Sequence, residues 1–373
     1  MEEQKKVKIC FVATYTYALF NRNQENLPVT GLDVQLYNWA IELAKDPRYE
    51  IHFLVGDFGQ SEKMVIDNVT LWKSSKPKKR GVFNGLVSFI ILINILRKIF
   101  ADIYVDRGAS GPISFEVGIF SILSRKKYVH MVASDSDVDG EYRRKSGIFL
   151  DTLHSIALQF ANGVTYQNFY QGNFLKKKNI QSWKIQNSFP IKQGIEVERD
   201  YILWVGSSYP LKRPSIFLDL AKAFPREKFV LVLQKHDENI FLEIEKEAKN
   251  IENVLFFPGV PFHEIDSFFE KAKVFVNTSI YEGFPNTFVQ SAMCAVPILS
   301  LKVDPDSILQ EDNIGVVCHD DIDVLRSELS RILEDKNQWR VLSKNAELFA
   351  SSHFDIKKNV DDLKKMFMNI LCE

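Results

Sequence analysis

The sequence predicts an α/β fold made of two doubly wound parallel-sheet domains. The chain has 373 residues, and at roughly 150 residues per domain this is the length of two domains. Apolar runs alternate with amphipathic helical patterns along the whole chain, which favours parallel strands joined by crossover helices. Several runs are continuously apolar, such as residues 9–12 and 229–233, as strands buried on both faces require.

Twelve strands are expected, six in each half of the chain. In the first half they are predicted near residues 6–14, 50–56, 66–72, 102–107, 127–133 and 163–167. In the second half they are predicted near residues 201–206, 228–234, 253–257, 273–278, 296–301 and 314–318. One sheet of this size would be unusual, so two sheets are expected. The polar stretch 191–200, which follows Pro190, is the predicted join between domains at 1–192 and 200–350.

Composition and charge exclude several classes of protein. Lys and Arg number 47 against 48 Asp and Glu, so a net charge of −1 gives no bulk attraction for nucleic acid. The four cysteines form no C-x-x-C pair and the histidines add no zinc pattern, which indicates a reduced, cytoplasmic environment. No apolar run reaches the ~18–20 residues that span a bilayer.

A basic cluster at residues 76–80 precedes a predicted apolar helix at 85–100. One interpretation is peripheral contact with the inner face of the cell membrane. The other is a basic loop followed by a buried crossover helix, which the apolar residues around residues 85–96 favour.

The strongest chemical signal lies between residues 272 and 301. A buried strand at 272–279 is followed by a loop with Glu282 and Gly283, and then by a helix. Ligands of open α/β sheets bind at this carboxyl end of the strands. Gly283 allows close approach of the backbone, and the first-turn N–H groups near Asn286 and Thr287 can bind an anion. Glu282 can hold sugar hydroxyls, although an ordinary β–α turn with a solvated Glu remains the alternative.

A second signal follows the strand at 201–206. Lys212 and Arg213 stand where the next helix begins, and two cations there oppose the helix dipole unless an anion binds. Lys would act on a phosphate as a point charge and Arg as a bidentate donor, whereas the alternative is two side chains turned into water. Two such sites in one domain suggest a ligand with both phosphates and hydroxyls, such as a nucleotide sugar.

The second half of the chain resembles the donor-binding domain of the retaining glycosyltransferases of family 4, the group 1 glycosyltransferases. The matching pieces are Val205-Gly206 with Lys212-Arg213-Pro214, Phe257-Pro258-Gly259, and Tyr281-Glu282-Gly283-Phe284-Pro285-Asn286-Thr287. The N-terminal half is more weakly similar, at Thr30-Gly31-Leu32, Ala101-Asp102-Ile103-Tyr104, Ala133-Ser134-Asp135-Ser136-Asp137 and Tyr166-Gln167-Asn168 to Gln171.

This resemblance implies a GT-B fold, in which two Rossmann-like domains face a cleft and a last helix, here 354–371, returns to the N-terminal domain. It implies an acceptor side at 1–192 and a nucleotide-sugar donor domain at 200–350.

The resemblance also assigns roles to residues. Glu282 matches the first Glu of the family's E-x7-E motif, which contacts the donor sugar, and Lys212 matches the basic residue on the donor diphosphate. Gly31 matches a glycine loop near that diphosphate. The loop from Gly283 through Phe284 to Asn286 and Thr287 would face the sugar and phosphate.

Two positions depart from the family pattern. The second Glu of the motif, which holds the ribose, is here Gln290, and the Arg that often follows the strand-end glycine is here Ser207. Because a charged acceptor binds roughly twice as strongly as a neutral one, weaker nucleotide binding is expected. Lys212 and Arg213 would then neutralise the diphosphate.

The D-x-D sequence at Asp135 and Asp137 begins like an EF-hand loop. Its twelfth position is Ser146, where a bidentate Glu is required, so no metal is expected. Asp135 is instead a candidate for acceptor binding, with a solvated loop as the alternative. His130 falls inside a predicted strand and is not a candidate.

These observations together predict a metal-independent hexosyltransferase of the retaining type. It would move a sugar from a nucleotide-diphosphate donor to a hydroxyl of a glycan or lipid-linked glycan in surface polysaccharide synthesis, with no cofactor. The alternative is a non-catalytic GT-B protein that serves as a partner or scaffold. A nicotinamide-dependent dehydrogenase is disfavoured because no G-x-G-x-x-G follows a strand.

Overall fold

The computed structural model describes residues 6–21, 29–76, 82–191 and 197–373. The chain divides into two compact units. The first contains residues 1–188 together with 356–373, and the second contains residues 189–355. Residues 192–196 of the polar stretch 191–200 lie outside the described part.

The first unit is built on a sheet of eight strands, as far as its described residues show, in the order β3-β4-β2-β1-β5-β6-β7-β8. The strands are β1 (Val7–Val12), β2 (Tyr49–Val55), β3 (Lys63–Ile66), β4 (Val69–Lys73), β5 (Ile103–Arg107), β6 (Lys127–Met131), β7 (Gly163–Tyr166) and β8 (Ser182–Lys184). All neighbours are parallel except β3, which runs antiparallel to β4.

Helices connect these strands. They are α1 (Tyr17–Phe20), α2 (Gly31–Leu43), α3 (Val82–Ile99), α4 (Gly111–Leu123), α5 (Glu141–Ser146), α6 (Ile148–Phe160) and α7 (Phe169–Lys177). A short 3-10 turn at Asp135–Asp137 follows β6. Apolar side chains of α2 pack on one face of the sheet, and those of α3 and α4 pack on the other.

The second unit has a fully parallel sheet, whose six strands lie in the order β11-β10-β9-β12-β13-β14. They are β9 (Tyr201–Ser207), β10 (Phe229–Gln234), β11 (Val254–Phe257), β12 (Ala272–Asn277), β13 (Ile298–Ser300) and β14 (Gly315–Val317). The helices are α8 (Pro214–Ala223), α9 (Glu238–Ala248), α10 (Ile265–Glu270), α11 (Asn286–Met293), α12 (Ile308–Glu311), α13 (Ile322–Glu334) and α14 (Lys336–His353). Two 3-10 turns lie at Pro210–Lys212 and Pro305–Ser307.

The last helix, α15 (Ile356–Cys372), belongs to the first unit although it follows the second in sequence. Val360, Leu363 and Phe367 of this helix are buried in the same apolar cluster as α2 and the strands of the first sheet. The amphipathic pattern of α15 therefore completes one face of the first unit's core.

The predicted fold class is confirmed. Two strands of the first sheet, one at each edge, were not predicted. The strand predicted near residues 66–72 corresponds to β4, and the prediction missed β3, which pairs with β4 across a turn at Asp67 and Asn68. The edge strand β8 was not predicted because Ser182–Lys184 is short and not apolar. All six strands predicted in the second half are present.

Helix α3 is buried along one side only. Leu92, Leu96 and Ile99 are buried in the core, whereas Val87 and Ile90 are exposed. Residues 77–80 of the preceding basic cluster lie outside the described residues. Within the described chain, no helix combines the length and the apolar character needed to cross a membrane.

Candidate active site

Lys212 and Glu282 meet at the carboxyl ends of two neighbouring strands in the second unit. Strands β9 and β12 are paired in parallel, so the loops that follow them leave the same edge of the sheet. The Lys212 ammonium donates to Oε1 of Glu282, and the Ser279 hydroxyl donates to the same oxygen at 2.8 Å. Both side chains of the ion pair are partly exposed, so a ligand can reach them.

Thr278 fixes the backbone beneath this ion pair. Its hydroxyl donates to the carbonyl of Lys212 at 2.6 Å and accepts from the indole N–H of Trp204 at 2.9 Å. The amide of Ile280 donates to the carbonyl of Leu211 at 2.9 Å. The two loops are therefore tied together by buried hydrogen bonds, which set the distance between Lys212 and Glu282. Sequence reasoning did not select Thr278, since a threonine that ends a strand carries no distinctive signal.

Arg213 is held by protein groups on two of its nitrogens. Its backbone is left-handed, with φ of 48°, and its Nε donates to the carbonyl of Thr278 at 2.8 Å. Its Nη1 pairs with Asp320 at 2.7 Å, and Lys302 contacts the other oxygen of that carboxylate at 3.3 Å. The hydrogen bond from Arg213 lowers the pKa of Asp320. In this arrangement Arg213 braces the site, while Lys212 presents its charge beside Glu282.

The loop at 283–287 places its aromatic residue in the core. Gly283 and Phe284 are buried, and the ring of Phe284 packs edge-on against Phe354 with 5.5 Å between centroids. Helix α11 begins directly afterwards, with half-buried Asn286 and Thr287 in its first turn. Phe284 therefore anchors the loop between Glu282 and the start of α11.

Gln290 lies one turn further along α11 and is 6% exposed. Its amide nitrogen donates to Oδ1 of Asp266 at 3.1 Å. A carboxylate thus stands next to the position where the resembling family has its second Glu, but it comes from α10.

Gly31 opens α2 in the first unit and is exposed. Thr30 caps this helix: its hydroxyl accepts from the amide of Asp33, whose side chain accepts from the amide of Thr30 at 3.0 Å. Asp33 also accepts from the hydroxyl of Thr16 at 2.9 Å. Burial raises the pKa of Asp33, and the hydrogen bonds from Thr30 and Thr16 oppose this rise. The Thr30–Asp33 capping box therefore fixes the start of α2 at Gly31.

Asp135 lies where β6 and β7 end in the first unit. Its Oδ1 accepts hydrogen bonds from the amide groups of Asn168 and Gln171, each at 2.9 Å. The side chain of Asn168 also caps α7, because it accepts from the backbone N–H of Gln171. Burial raises the pKa of Asp135 although both hydrogen bonds favour its ionised form. Two pieces of sequence that were recognised separately thus form one cluster.

A buried ion pair that the sequence did not indicate joins the neighbouring strands β5 and β6. His130 is fully buried in β6, and its Nδ1 lies 2.7 Å from Oδ1 of Asp106 at the end of β5. The hydroxyl of Tyr128 donates to the same oxygen at 2.8 Å. Burial opposes both charges, but their mutual attraction prevails, lowering the pKa of Asp106 and raising that of His130. The position of His130 inside a strand is consistent with this structural role.

The second carboxylate of the D-x-D sequence is occupied by backbone donors. Oδ2 of Asp137 accepts from the amides of Ala133 and Ser134 at 2.9 and 3.1 Å. Nowhere among the described residues do three His, Cys, Asp or Glu side chains group as metal ligands would.

Comparison with known proteins identifies the class of the fold. The fold is that of GT-B glycosyltransferases. It matches sucrose-phosphate synthase from Thermosynechococcus elongatus with a TM-score of 0.79, at 13% identity, over 98% of this chain and 100% of that one.

Residues 186–349, nearly all of which belong to the second unit, match the family described as glycosyl transferases group 1. This match confirms the predicted resemblance to group 1 glycosyltransferases.

Two curated relatives agree with this family. An uncharacterized glycosyltransferase of Methanocaldococcus jannaschii is 22% identical over 92% of this chain and 96% of its own length. A second relative, from Escherichia coli, is the UDP-Gal:alpha-D-GlcNAc-diphosphoundecaprenol alpha-1,3-galactosyltransferase. It is 24% identical over 45% of each chain.

Proposed function

We propose that this chain transfers a hexose from a nucleotide-diphosphate donor to a hydroxyl of a glycan or lipid-linked glycan, with retention of the anomeric configuration. The observation that carries the proposal is the Lys212–Glu282 pair at the carboxyl ends of β9 and β12. The product would enter surface polysaccharide synthesis, with the reaction in the cytoplasm. The acceptor named for the Escherichia coli relative is lipid-linked and supports this class of acceptor.

The chemistry requires charge stabilisation where the diphosphate leaves. The bond from the anomeric carbon to the diphosphate breaks, a bond to the acceptor oxygen forms, and the acceptor proton leaves with the diphosphate. Lys212 would neutralise the developing charge, with help from backbone N–H groups in the first turn of α11. No metal is needed in this scheme.

Glu282 would orient the donor sugar through its hydroxyl groups. Without a donor, its carboxylate accepts from Lys212 and from Ser279. On donor binding Lys212 would turn to the diphosphate, leaving Glu282 free to accept from the sugar while Ser279 keeps its orientation. The Lys212 ammonium and the Glu282 carboxylate thus neutralise each other before the donor binds. The donor would separate them, because its diphosphate binds Lys212 and its sugar binds Glu282.

Asp135 would bind the acceptor hydroxyl in the first unit. Its Oδ1 is held by Asn168 and Gln171, so the carboxylate has a fixed orientation before the acceptor arrives. Such preorganisation reduces the entropy lost on binding.

The competing function is that of a non-catalytic partner or scaffold with the same fold. Ser207 and Gln290 favour it, because both replace charged residues of the resembling family. Binding of a nucleotide diphosphate distinguishes the two functions. A transferase must bind its donor, whereas a scaffold has no need of a nucleotide.

The first experiment is a thermal-shift series with nucleotide diphosphates and nucleotide sugars, with and without EDTA. We expect one nucleotide to stabilise the protein by about 2.7 kcal/mol when its concentration is 100 times its Kd. The shift should be the same with and without EDTA, because the proposed mechanism uses no metal. Glu282→Gln should retain nucleotide binding and lose about 100-fold in sugar transfer or donor hydrolysis. The matched control is Glu247→Gln on the surface of α9.

Full activity in Glu282→Gln would show that Glu282 does not orient the sugar. Absence of any nucleotide shift in folded protein would favour the non-catalytic function. A shift abolished by EDTA would contradict the metal-free mechanism.

A further inference from the structure

Adjacent basic and apolar side chains are exposed where α5 meets α6. Arg143, Arg144 and Lys145 form the last turn of α5. Ile148 and Phe149 open α6, and their relative exposures are 64% and 73%. We name residues 143–149 the α5–α6 corner.

The corner stands clear of the rest of the described chain. Gly147, with φ of 88°, turns the chain between the two helices, and Gly140 precedes α5. A Cβ atom placed on either glycine would meet no other atom within 4 Å. The two apolar side chains therefore project from the molecule and do not cover a part of its core.

Folding gives no reason for apolar residues at these two positions. Helix α6 contributes His154, Ala157 and Leu158 to the interior from its later turns, while Ile148 and Phe149 in its first turn face solvent. A single exposed apolar residue is ordinary on any protein surface. Two adjacent ones beside three cations form a pattern that suits a ligand surface. Glu141 pairs with Arg144, and Asp151 lies in the first turn of α6, so three cations stand beside two carboxylates here.

The same edge of the sheet exposes further apolar side chains. In a parallel sheet, each connecting helix begins at the carboxyl edge of the strand before it. Helices α3, α4 and α6 therefore all begin at this edge, and α4 contacts both of the others. Val87 and Ile90, in the first half of α3, are 45% and 51% exposed.

We propose that the α5–α6 corner binds the surface of an anionic phospholipid bilayer. Ile148 and Phe149 would enter the interface between headgroups and acyl chains, and Arg143, Arg144 and Lys145 would contact the phosphates. A protein partner fits less well, because two side chains fall far short of the ~1,200 Å² that a specific interface buries. Two projecting side chains can insert into a fluid bilayer without a surface of complementary shape.

Membrane binding here would bear directly on the acceptor side. Helix α5 follows the turn at Asp135–Asp137 after only three residues, so the corner would hold Asp135 near the lipid surface. The residues of this surface are not those of the donor site. The test of membrane binding therefore does not depend on the proposed reaction.

Sedimentation with vesicles tests the inference on the full chain. Wild-type protein should bind phosphatidylcholine vesicles that contain phosphatidylglycerol, and bind about tenfold less to pure phosphatidylcholine. Raising the salt should weaken the first binding, because it screens exposed charges. The double variant I148S/F149S should bind at least about tenfold less, while F149W should bind as well as wild type, because Trp favours the interface.

The matched control is L242S/V341S, which removes two comparably exposed apolar side chains from the second unit and should bind vesicles normally. Thermal unfolding of all variants should match wild type, since the changed side chains are exposed. Unchanged vesicle binding by I148S/F149S, or no binding by the wild type at low salt, would overturn the inference. Self-association of the wild type that I148S/F149S abolishes would also overturn it, by assigning the corner to a second copy of the chain.

Discussion

At the scale of single residues, position 290 sets the charge that stands next to the Asp266 carboxylate. The Gln290 amide donates to Asp266, so its nitrogen already has a carboxylate partner. A Glu at this position would lose the hydrogen bond and bring two carboxylates together. Like charges this close raise the pKa of one of them or push the side chains apart.

We therefore expect Gln290→Glu to reduce both stability and nucleotide binding. The expected loss is about 1–2 kcal/mol in the free energy of unfolding, because a hydrogen bond is replaced by repulsion. The double variant D266N/Q290E should recover most of it, since an Asn amide can donate to the new Glu. Urea unfolding and nucleotide titration would measure both effects. Tighter nucleotide binding by Gln290→Glu alone would show that Asp266 does not govern this position.

The residues of the site differ in how far the sequence could reveal them. Lys212 and Glu282 carry chemical signals, but their contact depends on β9 lying beside β12, and strand order is not written in local sequence. Thr278 and Asp320 carry no signal, because their roles arise only from the loops that meet there. His130 and Asp106 sit in apolar strands, where polar residues are more often structural, and here they pair with each other.

At the scale of elements, the hairpin of β3 and β4 explains where sequence reasoning failed. One strand was predicted near residues 66–72, where the structure has β4 preceded by β3. Asp67 and Asn68 have φ of 51° and 62°, and two left-handed residues in a two-residue loop reverse the chain. Asp and Asn are among the few residues that adopt this conformation readily, which is the signal that was missed.

Substitution of Asn68 tests this explanation. Asn68→Val should lower the free energy of unfolding by about 1–2 kcal/mol, because a β-branched residue is strained at positive φ. Asn68→Gly should be neutral or slightly stabilising, since glycine adopts this conformation freely. Chemical unfolding of both variants would measure the difference. Equal stability of the Val and Gly variants would contradict a left-handed turn at this position.

At the scale of the whole molecule, alternation of strands and helices was sufficient to predict two parallel sheets. Alternation could not predict the antiparallel edge strand β3, which depends on a turn. Nor could it predict β8, whose three residues are too few for a periodic pattern. Continuous apolar runs identified the central strands best, because burial on both faces leaves no room for polar residues.

The buried face of α15 gives a prediction about the first unit alone. Phe367→Ala should destabilise that unit by about 3–5 kcal/mol, because it opens a cavity beside the first sheet. Met368→Ala, on the exposed side of the same helix, should have little effect. Differential scanning calorimetry, with hydrogen exchange to assign each transition, would measure this. Equal loss of protection in the second unit would show that the two units unfold together.

The place of α15 in the chain also orders events on the ribosome. The first unit precedes the second in the sequence, yet α15, which completes one face of its sheet, is translated after the whole second unit. Until then α2 covers only part of that apolar face. The second unit is continuous in sequence and can mature as soon as it emerges, so the unit that starts first finishes last. The apolar surface that α15 will cover is therefore open to chaperones, and to misassociation with neighbouring chains, while the second unit is made.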